Sequence, residues 1–236
     1  MKIPGRIFKS FVFFCLALGP FQQVFVAAQP SVIETIQNFL PSIVNIRAEN
    51  KTVGNSGGKI VAASFERKGA GVIIAPSGYI ITNSHIVSNA HKIIITLFDA
   101  RIFEAKVVSI LPETDLALLN IQAPGPLISA ELADSDTFSL GDEVFTVGHS
   151  QILDQTISEG RIIGLGVQRL PSGRKTATQL FQVNMNLYKG DSGGPLFDRK
   201  GRLAGIIVAG QAGAQHSSFV VPSNSIKKLY LDASVK

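Results

Sequence analysis

The stretch Gly190-Asp191-Ser192-Gly193-Gly194-Pro195-Leu196 constrains this 236-residue chain more than any other. The two glycines after the serine carry no side chain, so a second backbone can approach Ser192 closely. The glycine before Asp191 frees the backbone to turn, so that the amides of Gly190 and Ser192 can point at one oxygen atom, as in an oxyanion hole. A glycine-rich hairpin turn would use the same residue types, so this stretch alone does not distinguish a catalytic serine from an ordinary turn.

A serine hydroxyl is a poor nucleophile near neutral pH unless a base removes its proton and a third group orients that base. Of the four histidines, His85 fits best, because it ends the run 78–85, where an apolar strand gives way to small polar residues. The other three lie in polar or glycine-flanked stretches typical of loops: His91, His149 and His216.

Asp115 is the predicted orienting acid. It directly precedes Leu116-Ala117-Leu118-Leu119, a buried strand pattern, and a carboxylate at such an edge needs a partner. Other aspartates fit turns: Asp99, Asp134, Asp136 and Asp154.

The pentad 190–194 also matches the G-x-S-x-G elbow of α/β-hydrolases, in which a helix follows the serine and the acid and histidine come later. Here the serine is followed by residues 196–203, an apolar run, a charged turn and a second apolar run, which predicts a hairpin. Only His216 lies downstream among the histidines. The order histidine, aspartate, serine therefore favours the chymotrypsin-type arrangement.

From about Ser31 to Leu229 the chain resembles the protease domain of the HtrA/DegP trypsin-like serine proteases. The matching segments, in order, are residues 41–46, 69–74, 78–87, 115–119, 133–135, 190–196 and 219–224. The resemblance implies an all-β, chymotrypsin/trypsin-like fold of two antiparallel six-stranded β-barrels, with a short N-terminal helix and a C-terminal helix. It also implies a serine endopeptidase that needs no metal or organic cofactor.

In such a site His85 accepts the proton of Ser192 during attack on a peptide carbonyl and returns it to the leaving amine. Asp115 fixes the imidazole tautomer and stabilises the imidazolium, and the amides of Gly190 and Ser192 form the oxyanion hole. A catalytically idle chaperone or scaffold that binds exposed apolar segments is the alternative function.

In chymotrypsin-like enzymes the base of the primary pocket lies six residues before the nucleophile, which is Asn186 here. The strand that forms the pocket wall is then Val208, Ala209 and Gly210. Because Asn186 is uncharged, a buried Arg or Lys side chain would lack a counter-ion, and we expect cleavage after Val, Ile, Leu, Ala or Thr. A protonated His216 near the pocket mouth would instead admit an acidic side chain.

Several positions depart from the family pattern. Asp191 stands where the family usually has Asn, and with no clear activation site we expect it to pair with a basic side chain or with backbone donors. His149 replaces a usual Asn, and Tyr188-Lys189 replaces Asn-Arg. The chain stops at Lys236, so the PDZ domain common in the family is expected to be missing.

Residues 1–28 predict a secretory signal, with basic residues, an apolar run at 11–18, a Gly-Pro break and small residues before a cleavage site after Ala28. An uncleaved anchor is the alternative. The only cysteine, Cys15, lies in this leader behind two bulky phenylalanines, which do not fit a lipoprotein cleavage site. We therefore expect an exported protein, periplasmic or secreted, without disulfides and without stable membrane insertion after cleavage.

The leader holds three of the 22 Lys and Arg residues and none of the 17 acidic ones, which leaves the mature chain with a formal charge of +2. Such a balance argues against nucleic acid as the partner. We expect polypeptide substrates, in particular exported proteins that are unfolded or misfolded. The resemblance also implies a homo-oligomer, a trimer.

The pattern divides the mature chain into residues 29–121, an N-terminal helix and first barrel, a linker at 122–136, and residues 137–236, the second barrel and C-terminal helix. Apolar spacing predicts the first helix over residues 30–40 and the closing helix over 225–231. Between Glu49 and Lys68, a stretch rich in Gly, Asn and Ser predicts a loop, either disordered or regulatory.

Overall fold

The computed structural model describes residues 38–56, 59–150, 153–169, 175–185, 190–210 and 217–234. Within these ranges the chain forms two antiparallel β-sheets and few helices. The predicted leader and most of the predicted N-terminal helix lie outside the described residues. A 3₁₀ turn at Leu40–Ser42 leads directly into the first strand.

The first sheet contains seven strands. In chain order they are β1 Ile43–Ser56, β2 Lys59–Ala75, β3 Tyr79–Thr82, β4 Ala90–Thr96, β5 Ile102–Glu104, β6 Lys106–Leu111 and β7 Leu116–Asn120. Their order across the sheet is β5-β4-β1-β2-β3-β7-β6. The two edge strands, β5 and β6, are therefore neighbours in the chain, separated by Ala105 alone.

Ala105 explains how this sheet curls. Its N–H donates to the carbonyl of Ile93 on β4 at 2.9 Å, while the strand that follows it pairs with β7 at the far edge. One continuous segment thus serves both edges. The resemblance implied a six-stranded barrel, and this sheet has seven strands because the segment is divided at Ala105, where it passes from one edge to the other.

The predicted loop between Glu49 and Lys68 is wrong, because these residues extend the β1–β2 hairpin. The pairing runs without a break in register from Ile43 opposite Val72 to Ser56 opposite Lys59. Continuing the ladder gives a partner to the backbone N–H and C=O groups that face the neighbouring strand, which outweighs the low strand propensity of Gly, Asn and Ser.

The second sheet is a closed barrel of six strands, as predicted. They are β8 Glu143–Ser150, β9 Leu153–Arg169, β10 Lys175–Val183, β11 Pro195–Asp198, β12 Leu203–Gly210 and β13 Ser218–Pro222. The ring order is β10-β13-β12-β11-β8-β9. The predicted hairpin after Ser192 is confirmed as β11 and β12.

The two sheets share one apolar layer. On β7, Leu116 and Leu118 pack in a cluster with Phe145 and Phe197 of the second barrel, whereas Ala117 and Leu119 pack inside the first sheet. Because β7 is buried on both faces, its sequence is a continuous apolar run and does not alternate between apolar and polar residues.

Two helices complete the described structure. The short helix α1, Ser84–Val87, follows β3, and α2, Ser223–Ser234, closes the chain as predicted. The side chain of Asn224 donates to Asp134 at 2.9 Å, and this contact joins α2 to the 3₁₀ turn Ser135–Thr137. Residues 122–136 stay a predicted linker, although Leu127 and Ala130 within them are buried against the first sheet.

The shared layer can be tested with one substitution at two positions. Leu118→Ala, at a side chain that is 0% exposed, should lower the free energy of unfolding by about 2–5 kcal/mol. Leu140→Ala, at a side chain that is 64% exposed, should change it by less than about 0.5 kcal/mol. Urea denaturation in a Ser192→Ala background, which prevents self-digestion, measures both. Equal losses would contradict the layer.

Candidate active site

Asp115 occupies a sharp turn at the entry to β7. Its φ is +56°, in the left-handed region that Asp tolerates better than most side chains. The backbone before it curls back, since the Asp115 N–H donates to the carbonyl of Pro112 at 3.2 Å. Such strained backbone persists only where neighbouring groups hold it.

The residues before His85 hold this turn from the other side. The Nδ2 of Asn83 and the N–H of Ser84 each donate to the carbonyl oxygen of Asp115, both at 3.1 Å. The end of β3 and the start of β7 are thereby joined through one carbonyl group. Asn83 and Asp115 are both buried, so water does not compete for these bonds.

The carboxylate of Asp115 is bound by the same segment. Its Oδ1 accepts from the hydroxyl of Ser84 at 2.9 Å and from the N–H of His85 at 3.0 Å. Its Oδ2 lies 2.7 Å from Nδ1 of His85. The geometry suits the tautomer in which Nδ1 carries the proton and Nε2 is left as a base.

Burial is the largest single influence on Asp115 and pushes its pKa upward. The hydrogen bonds and charge of His85, together with the hydroxyl of Ser84, outweigh burial and hold the pKa of Asp115 below its ordinary value. The group is 1% exposed and ionised at neutral pH. His85, by contrast, has a side chain that is 43% exposed, so its ring can reach a second molecule.

Ser192 belongs to a turn of the second barrel that is bonded to the first sheet. Its carbonyl oxygen accepts from the N–H of Ala70 on β2 at 2.9 Å. The next residue, Gly193, donates to the carbonyl of Ile207 on β12 at 2.9 Å. The turn therefore rests on strands of both sheets.

Two glycines make this close approach possible. Gly193 has a φ of +80°, and a Cβ there would lie 2.1 Å from the carbonyl oxygen of Ala70. A Cβ on Gly69 would lie 2.4 Å from the side chain of Ile86 and 2.9 Å from the carbonyl oxygen of Ser192. Ile86 follows His85 directly, so the structure brings the histidine segment and the serine turn together at Gly69.

The structure describes only part of the predicted oxyanion hole and pocket. Gly190 has a φ of +111°, a conformation that glycine adopts freely, and Asp191 after it is buried. Val208 is buried on β12, and Ala209 and Gly210 continue that strand. Asn186, the Tyr188-Lys189 pair and His216 lie outside the described residues.

One contact anchors the chain just before Asn186. The hydroxyl of Ser218 on β13 donates to the carbonyl of Met185 at 2.9 Å, and Ser218 pairs with Gly210 in the barrel. The last described residue before the predicted pocket base is thus fixed beside the predicted pocket wall.

His91 takes no part in this cluster. His91 lies on β4 with its Nε2 3.8 Å from a carboxylate oxygen of Glu49. Among the residues that the structure describes, no group of three or more His, Cys, Asp or Glu side chains is placed to hold a metal ion. In the same part of the chain, no helix is long and apolar enough to cross a membrane.

Sequence reasoning missed Ser84 and Asn83. Both stand in the run that ends at His85, but as small polar residues they gave no sign of which group they would contact. A hydroxyl and an amide directly before the candidate base were the available signal. Their partner Asp115, 32 residues beyond Asn83 and 31 beyond Ser84, is brought to them only when β3 and β7 pair.

Comparison with known proteins agrees with this geometry. Residues 69–206 match the trypsin-like peptidase domain family. The periplasmic pH-dependent serine endoprotease DegQ of Escherichia coli (strain K12) is 34% identical over 222 residues, which are 86% of this chain and 48% of DegQ. The periplasmic serine endoprotease DegP of Salmonella typhimurium (strain LT2) is 38% identical over 180 residues, 75% of this chain and 38% of DegP.

Solved structures agree as well. The HtrA-type protease AlgW with a decapeptide superposes with a TM-score of 0.72 at 26% identity, over 86% of this chain and 67% of AlgW. The chain spans about half the length, or less, of the curated relatives named above. With the family match over more than half of its residues, the chain belongs to the trypsin-like peptidase domains of HtrA type.

Proposed function

We propose that the chain is a serine endopeptidase in which His85, Asp115 and Ser192 form the catalytic triad. The observation that carries the proposal is the 2.7 Å contact between Nδ1 of His85 and the buried Oδ2 of Asp115. A hydrogen bond with one partner buried and the other partly exposed holds the imidazole in one orientation and leaves its second nitrogen free to act. The turn that carries Ser192 is bonded to β2, beside the residue that follows His85.

The reaction follows from these roles. Nε2 of His85 takes the proton of the Ser192 hydroxyl as its oxygen attacks the peptide carbonyl, and Asp115 stabilises the imidazolium that forms. The amides of Gly190 and Ser192 stabilise the oxyanion of the tetrahedral intermediate, and the leaving amine receives the proton from His85. An acyl-enzyme remains, which water hydrolyses by the same steps in reverse.

The substrates proposed are exported polypeptides that have unfolded or misfolded. Two supports stand behind this: the predicted export signal at residues 1–28, and the periplasmic location in the names of DegQ and DegP. An unfolded segment can enter a cleft in extended form, whereas a folded domain cannot. We further propose a homo-oligomeric assembly, a trimer, on the family resemblance.

The nucleophile is tested first. Ser192→Ala should abolish hydrolysis of casein, since no other group on the turn can form the acyl-enzyme, and should leave the circular dichroism spectrum unchanged. Ser139→Ala, at an exposed serine shortly before β8, is the matched control and should keep full activity. A wild-type protein that binds unfolded casein without cleaving it would favour the idle chaperone instead.

The second test concerns the acid. Asp115→Asn should lower the rate by about 10⁴-fold, because an amide in place of the carboxylate favours the wrong imidazole tautomer. Asp232→Asn, an exposed position on α2, should have no effect. Hydrolysis of a labelled peptide, followed at saturating concentration, gives both values. An undiminished rate in the Asp115 variant would refute the triad.

The third test concerns specificity. Val208, 4% exposed on the predicted wall, and the uncharged Asn186 at the predicted base leave no counter-ion for a cation. Mass spectrometry of denatured casein digests should therefore find most cuts after Val, Ile, Leu, Ala or Thr. Digests with the Ser192→Ala variant identify cuts by contaminating proteases. A majority of cuts after Arg or Lys would overturn this pocket.

A further inference from the structure

We infer that Ser84 is a positioning residue for the proposed reaction: its hydroxyl fixes the carboxylate of Asp115 so that Oδ2 faces the imidazole of His85. The inference rests on the proposed triad and goes beyond it, since it assigns a fourth side chain to the support of the base. Ser84 itself touches no reacting atom. It acts through Asp115.

The two oxygens of the Asp115 carboxylate have different hydrogen-bond partners. Oδ1 receives the hydroxyl of Ser84 at 2.9 Å and the N–H of His85 at 3.0 Å, and Oδ2 faces Nδ1 of His85 at 2.7 Å. The terminal torsion of an aspartate has broad minima, so its own stereochemistry hardly sets the plane of the carboxylate. Hydrogen bonds set that plane here, and the Ser84 hydroxyl donates one of them.

Ser84 is itself held firmly enough for this role. Its N–H donates to the carbonyl of Asp115 at 3.1 Å, and its carbonyl accepts from both the N–H and the hydroxyl of Ser88, at 2.8 and 2.7 Å. The residue is 3% exposed. A buried hydroxyl on a fixed backbone can aim at one carboxylate oxygen without competition from water.

Removing the hydroxyl should therefore slow the chemical step and leave substrate binding alone. Without its Ser84 partner, Oδ1 keeps the N–H of His85 but loses a charge-assisted hydrogen bond, and the carboxylate plane can rotate away from Nδ1. We expect Ser84→Ala to lower kcat roughly 10-fold with KM unchanged. That loss is far smaller than the roughly 10⁴-fold loss expected for Asp115→Asn.

The experiment compares four variants with the wild type on a quenched fluorescent peptide that has Val before the cleaved bond. Ser42→Ala removes a buried hydroxyl that donates to the carbonyl of Phe39 at 2.6 Å and not to Asp115, and should leave kcat and KM unchanged. Ser84→Thr and Ser84→Val have nearly the same shape and differ in the hydroxyl. The threonine variant should stay within about two-fold of the wild-type kcat, and the valine variant should lose roughly 10-fold, as alanine does.

A spectroscopic signature separates positioning from general support of the fold. The proton between Nδ1 of His85 and Asp115 should give a low-field proton resonance, because it lies in a short charge-assisted hydrogen bond. That resonance should move to higher field in Ser84→Ala and Ser84→Val, and stay in place in Ser42→Ala and Ser84→Thr. It can be recorded in folded variants whatever their activity.

The outcomes are distinct. A normal kcat in Ser84→Ala, or equal losses in the threonine and valine variants, would overturn the positioning role while an inactive Asp115→Asn leaves the triad standing. If Ser84→Ala fails to fold, the threonine and valine pair decides by the same criterion. A wild-type protein with no hydrolytic activity would overturn both the proposed function and this inference.

Discussion

The buried carboxylate of Asp115 sets the conditions for everything around it. A charge removed from water is costly unless donors replace the lost hydration. In this protein the start of α1 supplies such donors, the hydroxyl of Ser84 and the N–H and ring of His85. The hydrogen bonds that stabilise this charge therefore also orient the imidazole of His85, the proposed base.

The backbone carbonyl of Asp115 is fixed by two hydrogen bonds, as its carboxylate is by others. The left-handed backbone at this residue turns the carbonyl toward the amide of Asn83 and the N–H of Ser84. The pairing of β3 with β7 sets the distance over which these bonds act, with Thr82 opposite Ala117 just beyond the turn. The register of the strands and the geometry of the site therefore depend on each other. A shift of β7 by one residue would send its apolar side chains to the opposite faces of the sheet.

The sequence predicted the catalytic candidates and the class of fold, because both depend on local patterns. Residues 116–119 are apolar without interruption because both faces of their strand are buried. One face packs inside the first sheet, and the other packs in the layer shared with the second barrel. The His85 and Asp115 pair followed from a polar break at the end of one apolar run and a charge at the start of another. The order histidine, aspartate, serine along the chain then favoured the chymotrypsin-type arrangement.

What the sequence did not predict depends on long-range pairing. The stretch between Glu49 and Lys68 has the composition of a loop, yet it joins a hairpin whose register is set further along, at Ile43 and Val72. The split at Ala105 likewise depends on how far the first sheet curls, which no local pattern records. Ser84 belongs to the same group, since its proposed role depends on Asp115, which lies at the entry to β7.

The two sheets meet at the proposed active site through backbone as well as through side chains. The N–H of Ala70 on β2 donates to the carbonyl of Ser192, and this bond lies where Gly193 and Gly69 leave room for it. Most substitutions leave a bond between two backbones intact, but a larger residue at either glycine would meet backbone within 3 Å and force the chains apart. The shared apolar layer holds the sheets together over a broad area, and this single bond sets where the serine turn lies beside the histidine. The absence of side chains at two glycines is thus as necessary to the site as the side chains of His85 and Asp115.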